Sequence, residues 1–170
     1  MKAAYIHIPF CEHICHYCDF NKFFIKTQPV DEYLAALEKE MQHTIEQKGE
    51  QELKTIFIGG GTPTSLTVSQ LDKLMNSIHR VLKPTKNLIE FAVEANPDEL
   101  SLEKLHVLKE AGVNRLSFGV QTFEDDLLKK SDEFIKKRMS LRPLSELERL
   151  DLTILASISC LACRIKKSIM

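Results

Sequence analysis

The sequence predicts an α/β fold in which parallel strands are covered by helices. Short apolar segments of strand length alternate with longer segments whose apolar residues recur at helical spacing, and four such strands can be recognised. The connections between these segments are short, and several contain glycine or proline. Strands that alternate with helices in this way favour a parallel sheet, so we expect the α/β class.

The first half of the predicted fold is bounded by prolines and glycines. The segment "AAYIHI" at residues 3–8 predicts a buried strand that ends at Pro9. After Pro29 a helix is expected to continue as far as Gly49. Its apolar stripe consists of Val30, Leu34, Leu37, Met41 and Ile45. The segment "TIFI" at residues 55–58 predicts a second strand, which runs directly into three glycines.

The second half of the predicted fold repeats this order. Thr67 and Gln70 form a capping-box pattern that should open a second amphipathic helix. Residues 88–94 predict a third strand, and Ser101 can cap a third helix after it. A fourth strand is expected at residues 115–120. We therefore expect parallel strands in chain order with helices between them.

The composition is that of an ordinary water-soluble domain. Of 170 residues, 44% are hydrophobic and 28% charged, and the formal net charge is -1. This balance gives no electrostatic reason to expect nucleic acid or an anionic membrane as a partner. The residues before Cys11 are too few for a signal peptide, and the apolar run at 152–163 is too short to span a bilayer. We expect a cytoplasmic protein, in which clustered cysteines indicate metal or redox chemistry.

Three of the five cysteines lie close together, at Cys11, Cys15 and Cys18. On a helix this spacing would form one stripe of small buried residues, but the polar residues between the cysteines and the preceding proline favour a loop. Structural zinc and 4Fe-4S clusters usually take four ligands, so three thiolates on a four-iron cluster leave one iron open. An amino and carboxylate pair such as that of S-adenosylmethionine would suit the open iron. One electron from the cluster could then break a carbon–sulfur bond and give an adenosyl radical.

The chemically distinctive residues follow the predicted strands. Cys11 comes after the first strand, Gly59 ends the second, Glu94 ends the third and Gln121 lies just beyond the fourth. Ligands of open α/β folds bind at the carboxyl ends of the strands. We therefore expect these positions to share one rim of the sheet.

The motifs resemble those of a known family. The cysteine loop, with Tyr17 before its last cysteine, resembles the signature of the radical SAM superfamily. The segments "IFIGGGTPTSL", "EANPDEL" and "GVNRLSFGVQTF" resemble, more narrowly, the family of oxygen-independent coproporphyrinogen III oxidases and the related haem chaperone HemW. The resemblance runs from about residue 3 to Lys130. It implies that residues 1–130 form the N-terminal portion of a partial (β/α) barrel.

The resemblance also implies roles for particular residues. The cluster ligands would be Cys11, Cys15 and Cys18. The glycine-rich strand end would hold the methionine part of S-adenosylmethionine by its backbone, at Gly60, Gly61 and Thr62. Four further residues would line the cofactor, namely Tyr5, Tyr17, Glu94 and Gln121. No role is assigned to His7, His13 or His16.

One position separates the two branches of this family. The oxidases carry a fourth cysteine two residues after the third, where this chain has Phe20. Phe20 therefore favours the chaperone branch, which binds haem and delivers it to acceptor proteins. The alternative is a true oxidase, which converts two propionates of coproporphyrinogen III to vinyl groups by oxidative decarboxylation.

The last part of the chain has no counterpart in the family resemblance. Residues 131–170 contain no glycine and, after Asp151, no acidic residue. We interpret this segment as a tail outside the family, disordered or produced by a frameshift, which would leave an unstable or inactive fragment. The tail also carries Cys160 and Cys163, which could join Cys15 and Cys18 in a zinc site. A zinc-binding module is thus a further alternative.

Overall fold

The centre of the structure is a parallel sheet. The computed structural model describes residues 2–15, 18–49, 52–119 and 153–157. Within these ranges the main sheet has five strands, in the order β1-β4-β5-β6-β7 and with every neighbouring pair parallel. These strands are β1 (Ala3–Ile8), β4 (Thr55–Gly60), β5 (Glu90–Ala95), β6 (Arg115–Gly119) and β7 (Thr153–Ser157). The α/β prediction is confirmed.

The strands form because their apolar side chains are buried among those of the neighbouring strands. Ile8, Ile56, Ile58 and Phe91 are each 0% exposed. In β5 the three consecutive residues Phe91, Ala92 and Val93 are buried, which is typical of a parallel strand covered by helices, whereas buried and partly exposed residues alternate along much of β1 and β4. The register pairs Ile8 with Gly60, so that β1 and β4 end at the same level. The carboxyl ends of the strands thus lie along one edge of the sheet, as predicted.

Three helices lie between the described strands, and their ends follow the predicted signals. They are α1 (Val30–Lys48), α2 (Val68–Leu82) and α3 (Leu102–Glu110), and α2 packs between the other two. Both hydrogen bonds of the predicted capping box on α2 are present between Thr67 and Gln70, at 3.1 and 3.2 Å. The Ser101 hydroxyl accepts a bond from the Lys104 amide at the start of α3. None of these helices combines the length and apolarity that a membrane crossing requires.

Two strand boundaries differ from the prediction. β4 includes Gly59 and Gly60, because the register with β1 continues through them. The third predicted strand begins at Glu90 rather than Leu88, because the amide of Leu88 closes a turn by donating to the carbonyl of Thr85 at 2.9 Å. The last residue of the fourth predicted strand, Val120, lies outside the described residues.

The sequence prediction did not include β7. This strand lies parallel to β6 from Arg115 opposite Thr153 to Gly119 opposite Ser157. The Thr153 amide also donates to the carbonyl of Asn114 at 2.9 Å. Part of the segment 131–170 is therefore a strand of the main sheet. The sequence does not predict this strand because no glycine marks its ends. The predicted domain boundary at residue 130 lies outside the described residues and stays a prediction.

Candidate functional site

The cysteine loop is closed at its base by a second, very short pair of strands. β2 (Phe10–Cys11) lies parallel to β3 (Phe23–Phe24), and the Phe23 amide donates to the carbonyl of Pro9 at 2.7 Å. Inside the loop, the Lys22 ammonium donates to the carbonyl of Cys18. The segment between Cys11 and Phe23 is thus held at both ends beside the carboxyl end of β1.

Cys11 is the buried member of the cysteine group. Its residue is 7% exposed, whereas Cys15 and Cys18 are partly exposed, and none of the three is joined in a disulfide. Burial raises the pKa of the Cys11 thiol, and a hydrogen bond from the Thr62 hydroxyl at 3.8 Å opposes this rise. The charges of Cys18, Glu99 and Cys15 also raise the pKa of Cys11. The two other cysteines therefore lie within electrostatic range of Cys11.

The glycine-rich strand end lies directly against the cysteine loop. The amide of Gly61 donates to the carbonyl of Ile8 at 2.8 Å, and that of Thr62 donates to the carbonyl of Phe10 at 2.7 Å. A Cβ atom on Gly61 would lie 2.5 Å from the Phe10 oxygen and 2.8 Å from the Cys11 sulfur. Only glycine permits this approach, which brings a backbone edge next to a thiol.

Glu94 faces the same glycine segment from the neighbouring strand. One of its carboxylate oxygens accepts a hydrogen bond from the Gly60 amide at 3.0 Å. Burial raises the pKa of Glu94, while this amide bond and the nearby His7 lower it. Gly60 itself has a φ of 127°, a conformation that other residues rarely adopt. The end of β4 therefore offers a glycine backbone with a half-buried carboxyl group beside it.

Tyr5 and His7 lie on one face of β1, and the His7 ring is close to the glycine segment. The Tyr5 hydroxyl lies 2.9 Å from His7 Nδ1, and the Tyr5 ring packs on Phe57 with 5.7 Å between ring centroids. Burial, followed by the charge of Glu94, raises the pKa of Tyr5. The His7 ring lies 2.7 Å from where a Cβ of Gly60 would be.

His7, to which the sequence assigns no role, lies within this site. Its position two residues after Tyr5 places both side chains on one face of the strand. That period was visible in the sequence and could have linked His7 to Tyr5. The backbone oxygen of His7 also accepts a hydrogen bond from the Tyr33 hydroxyl of α1 at 2.7 Å.

The structure brings most of the predicted site residues to one edge of the sheet. Those placed there are Tyr5, Cys11, Cys15, Cys18, Gly60, Gly61, Thr62 and Glu94. Tyr17 and Gln121 lie outside the described residues. Phe20, the branch-distinguishing position, is 73% exposed.

The arrangement fits a thiolate-bound cluster by its donor chemistry. Three thiols share one loop, and the backbone of Gly61 packs closely against the sulfur of Cys11. Thiolates are the ligands that iron–sulfur clusters require. In the part of the chain that the structure describes, no three His, Cys, Asp or Glu side chains are yet gathered as a metal-binding group.

Comparison with known proteins defines the class to which this fold and site belong. A model of the Radical SAM superfamily matches residues 5–156, and the chain belongs to this superfamily. The match extends through most of β7. It also includes the cysteine loop, the glycine segment and Glu94.

Within the superfamily the chain is similar to haem chaperones named HemW. It is 73% identical to HemW of Bacillus subtilis over 138 residues, which are 81% of this chain and 36% of that protein. It is 50% identical to HemW of Lactococcus lactis over 129 residues, 76% of this chain and 33% of that protein. The chain thus spans about a third of the length of these relatives.

A solved structure has the same fold. Coproporphyrinogen III oxidase (HemN) from Escherichia coli, described as a radical SAM enzyme, superposes with a TM-score of 0.82 at 30% identity. The match covers 91% of this chain and 37% of that protein. Within the superfamily the chain is therefore similar both to the proteins named HemW and to this oxidase.

Proposed function

We propose that this chain binds a 4Fe-4S cluster through Cys11, Cys15 and Cys18 and binds S-adenosylmethionine beside it, in a protein that carries haem. The observation that carries the proposal is the loop with three thiols, whose buried member Cys11 packs against the backbone of Gly61 at the glycine-rich end of β4. When bound, the cluster supplies one electron for cleavage of a carbon–sulfur bond of S-adenosylmethionine.

Each proposed binding residue has a physical task. The Thr62 hydroxyl, 3.8 Å from the Cys11 sulfur, favours the thiolate form that metal binding needs. Gly60 and Gly61 allow the methionine part of the cofactor to approach the backbone closely. Glu94 and Tyr5 lie beside these glycines and line the cofactor. Tyr17 and Gln121 complete the proposed set from outside the described residues.

The haem role rests on the relatives. The two proteins named haem chaperone HemW are 73% and 50% identical to this chain over the matched residues. Phe20, which stands where the oxidases have a fourth cysteine, agrees with the same branch. The proposed partners are therefore haem or a related porphyrin and a haem-acceptor protein.

Oxidative decarboxylation of coproporphyrinogen III is the second candidate function. It is supported by the likeness to the oxidase from Escherichia coli, at a TM-score of 0.82. The two candidates share the cluster and the cofactor but differ in what they do to the porphyrin. Haem that is bound without any conversion of coproporphyrinogen III supports the chaperone, and vinyl-bearing product supports the oxidase.

Anaerobic reconstitution of the full chain tests the cofactor site. We expect about four irons per chain and an EPR signal of the reduced cluster that changes when S-adenosylmethionine is added. Cys11→Ser should abolish the signal. Cys160→Ser is the matched control, because it removes a thiol from the predicted tail rather than from the proposed site, and should leave the signal unchanged.

Two other results would contradict the proposal. Bound zinc without iron, lost on substitution of either Cys15 or Cys160, would support the zinc-binding module. A folded chain that takes up no metal would support an inactive fragment.

A further inference from the structure

Lys104 on α3 connects two loops that follow neighbouring strands. Its ammonium donates to the carbonyl of Thr64 at 2.6 Å and to the carbonyl of Glu99 at 2.9 Å. Thr64 belongs to the short 3-10 turn Pro63–Ser65 after β4, and Glu99 to the turn Pro97–Glu99 after β5. One half-buried cation therefore binds the backbone of both strand-end loops.

Side chains around Lys104 link the same two loops. The Asn96 amide donates to the Thr64 hydroxyl at 3.0 Å, and the Asn96 side chain donates to Glu99 Oε1 at 3.1 Å. The Thr64 residue is 0% exposed. The other carboxylate oxygen of Glu99, Oε2, is buried and has no hydrogen-bond partner among the described residues.

Burial lowers the pKa of Lys104, and the charges of Glu99 and Glu12 oppose this change. The two strand-end loops are therefore joined by a half-buried ammonium as well as by the contacts of Asn96.

These contacts connect two loops that carry the proposed cofactor site. The loop after β4 includes Gly61 and Thr62, and the loop after β5 begins two residues after Glu94. We propose that Lys104 is a positioning residue that fixes the separation of these two loops. Its bonds go to the protein backbone, and it acts on the cofactors only through the loops. The inference rests on the proposed cofactor function.

Replacing Lys104 by methionine removes the charge but keeps a side chain of similar length. The carbonyls of Thr64 and Glu99 then lose their donor, which loosens the contact between the two loops. Lys104→Arg keeps the charge and the hydrogen-bond donors, so this variant should keep most of the contact between the loops. Lys39→Met, at an exposed position on α1, is the matched control.

Amide hydrogen exchange of the unloaded full chain is the first measurement. In Lys104→Met we expect the Asn96 and Thr62 amides to exchange about ten-fold faster or more, as for the loss of a charged hydrogen bond. Amides in the middle of α1 should keep their rates. If the variant does not fold, Lys104→Gln, which can still donate to one carbonyl, should show a smaller increase.

Titration of the reconstituted chain with S-adenosylmethionine, followed by the EPR change of the cluster, is the second measurement. Lys104→Met should bind about ten-fold more weakly, with Lys104→Arg and Lys39→Met near the wild type. Unchanged exchange at Asn96, or faster exchange spread evenly over the whole chain, would overturn the positioning role. If the wild type takes up no cluster, the proposed function fails, while the exchange measurement still decides the role of Lys104.

Discussion

Gly61 shows how a single missing Cβ shapes the site. Its backbone lies between Phe10 and the sulfur of Cys11, where an added carbon would come within 2.5 Å of the Phe10 oxygen. Neither loop can move away freely, because the amides of Gly61 and Thr62 are bonded to β1 and β2. The site therefore depends on this residue for steric reasons rather than for backbone freedom.

Gly61→Ala should lower the free energy of unfolding by about 1 to 3 kcal/mol and prevent cluster uptake. Gly49→Ala is the control, because Gly49 has nothing within 4 Å of a new Cβ but has a φ of 74°. That change should cost about 1 kcal/mol and leave the cluster in place. Urea unfolding and iron analysis measure both quantities. Equal iron content in the two variants would contradict the steric explanation.

Glu99 is a second residue whose effect can be measured, through the dependence of stability on pH. Burial above all, with the charges of Glu12 and Asp98, raises the pKa of Glu99 to about 7 against the lowering effects of Asn96 and Lys104. The native state therefore holds this proton more tightly than the unfolded chain, in which the pKa is near the ordinary glutamate value of 4.5. It follows that the contribution of Glu99 to stability falls as the pH rises from about 4.5 to about 7.

Glu99→Gln cannot ionise, so it should be more stable than the wild type at pH 8, by roughly 1 to 3 kcal/mol. The gain should shrink at about pH 5, where the native Glu99 is protonated. Urea unfolding at the two pH values gives the comparison. Glu32→Gln, on the exposed side of α1, controls for the loss of one negative charge. The same stability difference at both pH values would show that burial does not shift this carboxyl group.

At the residue level, the sequence predicted the groups that have a strong local pattern. The cysteine spacing and the glycine run were visible because they are contiguous. Lys104 and Glu99 were not recognised, because their relation to Thr64 and Glu12 depends on packing between distant segments. Neither residue differs from an ordinary surface charge until the loops are folded.

Among the structural elements, β6 is connected to its neighbours through Asn114. The Asn114 side chain donates to the carbonyl of Ile89 at 3.0 Å and accepts from the Phe91 amide at 2.9 Å, while its backbone oxygen accepts from Thr153 at 2.9 Å. The starts of β5, β6 and β7 thus meet at one side chain and its backbone.

Asn114→Ala should lower the free energy of unfolding by about 1 to 3 kcal/mol, because a strand amide and a carbonyl lose their partner. Asn76→Ala is the matched control, since the Asn76 side chain on the surface of α2 donates to an exposed Asp72 within its own helix. That variant should change stability by less than about 0.5 kcal/mol. Thermal unfolding compares the two. A similar loss of stability in both variants would show that any asparagine-to-alanine change has this cost, and that the contacts of Asn114 are not its cause.

The predicted bounds of an element were most accurate where proline, glycine or a capping box marks its ends. α1 begins and ends where Pro29 and Gly49 predict, and α2 begins at its capping box. β2 and β3 were not predicted, because strands of two residues have no period. β7 was missed for another reason: its residues are apolar, but no glycine or proline marks its ends.

For the molecule as a whole, β7 changes the expectation for the edge of the sheet. A sheet of the four predicted strands alone would leave the fourth at an edge, which is an aggregation hazard. In the structure, β7 lies along β6 over the five residue pairs from Arg115 to Gly119. Among the described strands, the end of the sheet is therefore β7 rather than β6.

A chain shortened to residues 1–150 should lose this cover, form oligomers in size-exclusion chromatography and unfold at a lower temperature. A chain shortened to residues 1–157 keeps β7 and is the control, expected to behave as the full chain does. Identical behaviour of the two shortened chains would mean that β7 does not protect the sheet.

The strand order also has a consequence during synthesis. β1 pairs with β4, so Gly61, which packs against the Cys11 sulfur, is synthesised 50 residues after Cys11. At a translation rate of about 5 to 20 residues per second, the thiol leaves the ribosome roughly 3 to 10 seconds before Gly61 does. Over that interval the nascent cysteine is open to oxidants and to stray metals. Cluster delivery is therefore expected after β4 has joined the sheet rather than while the loop is emerging.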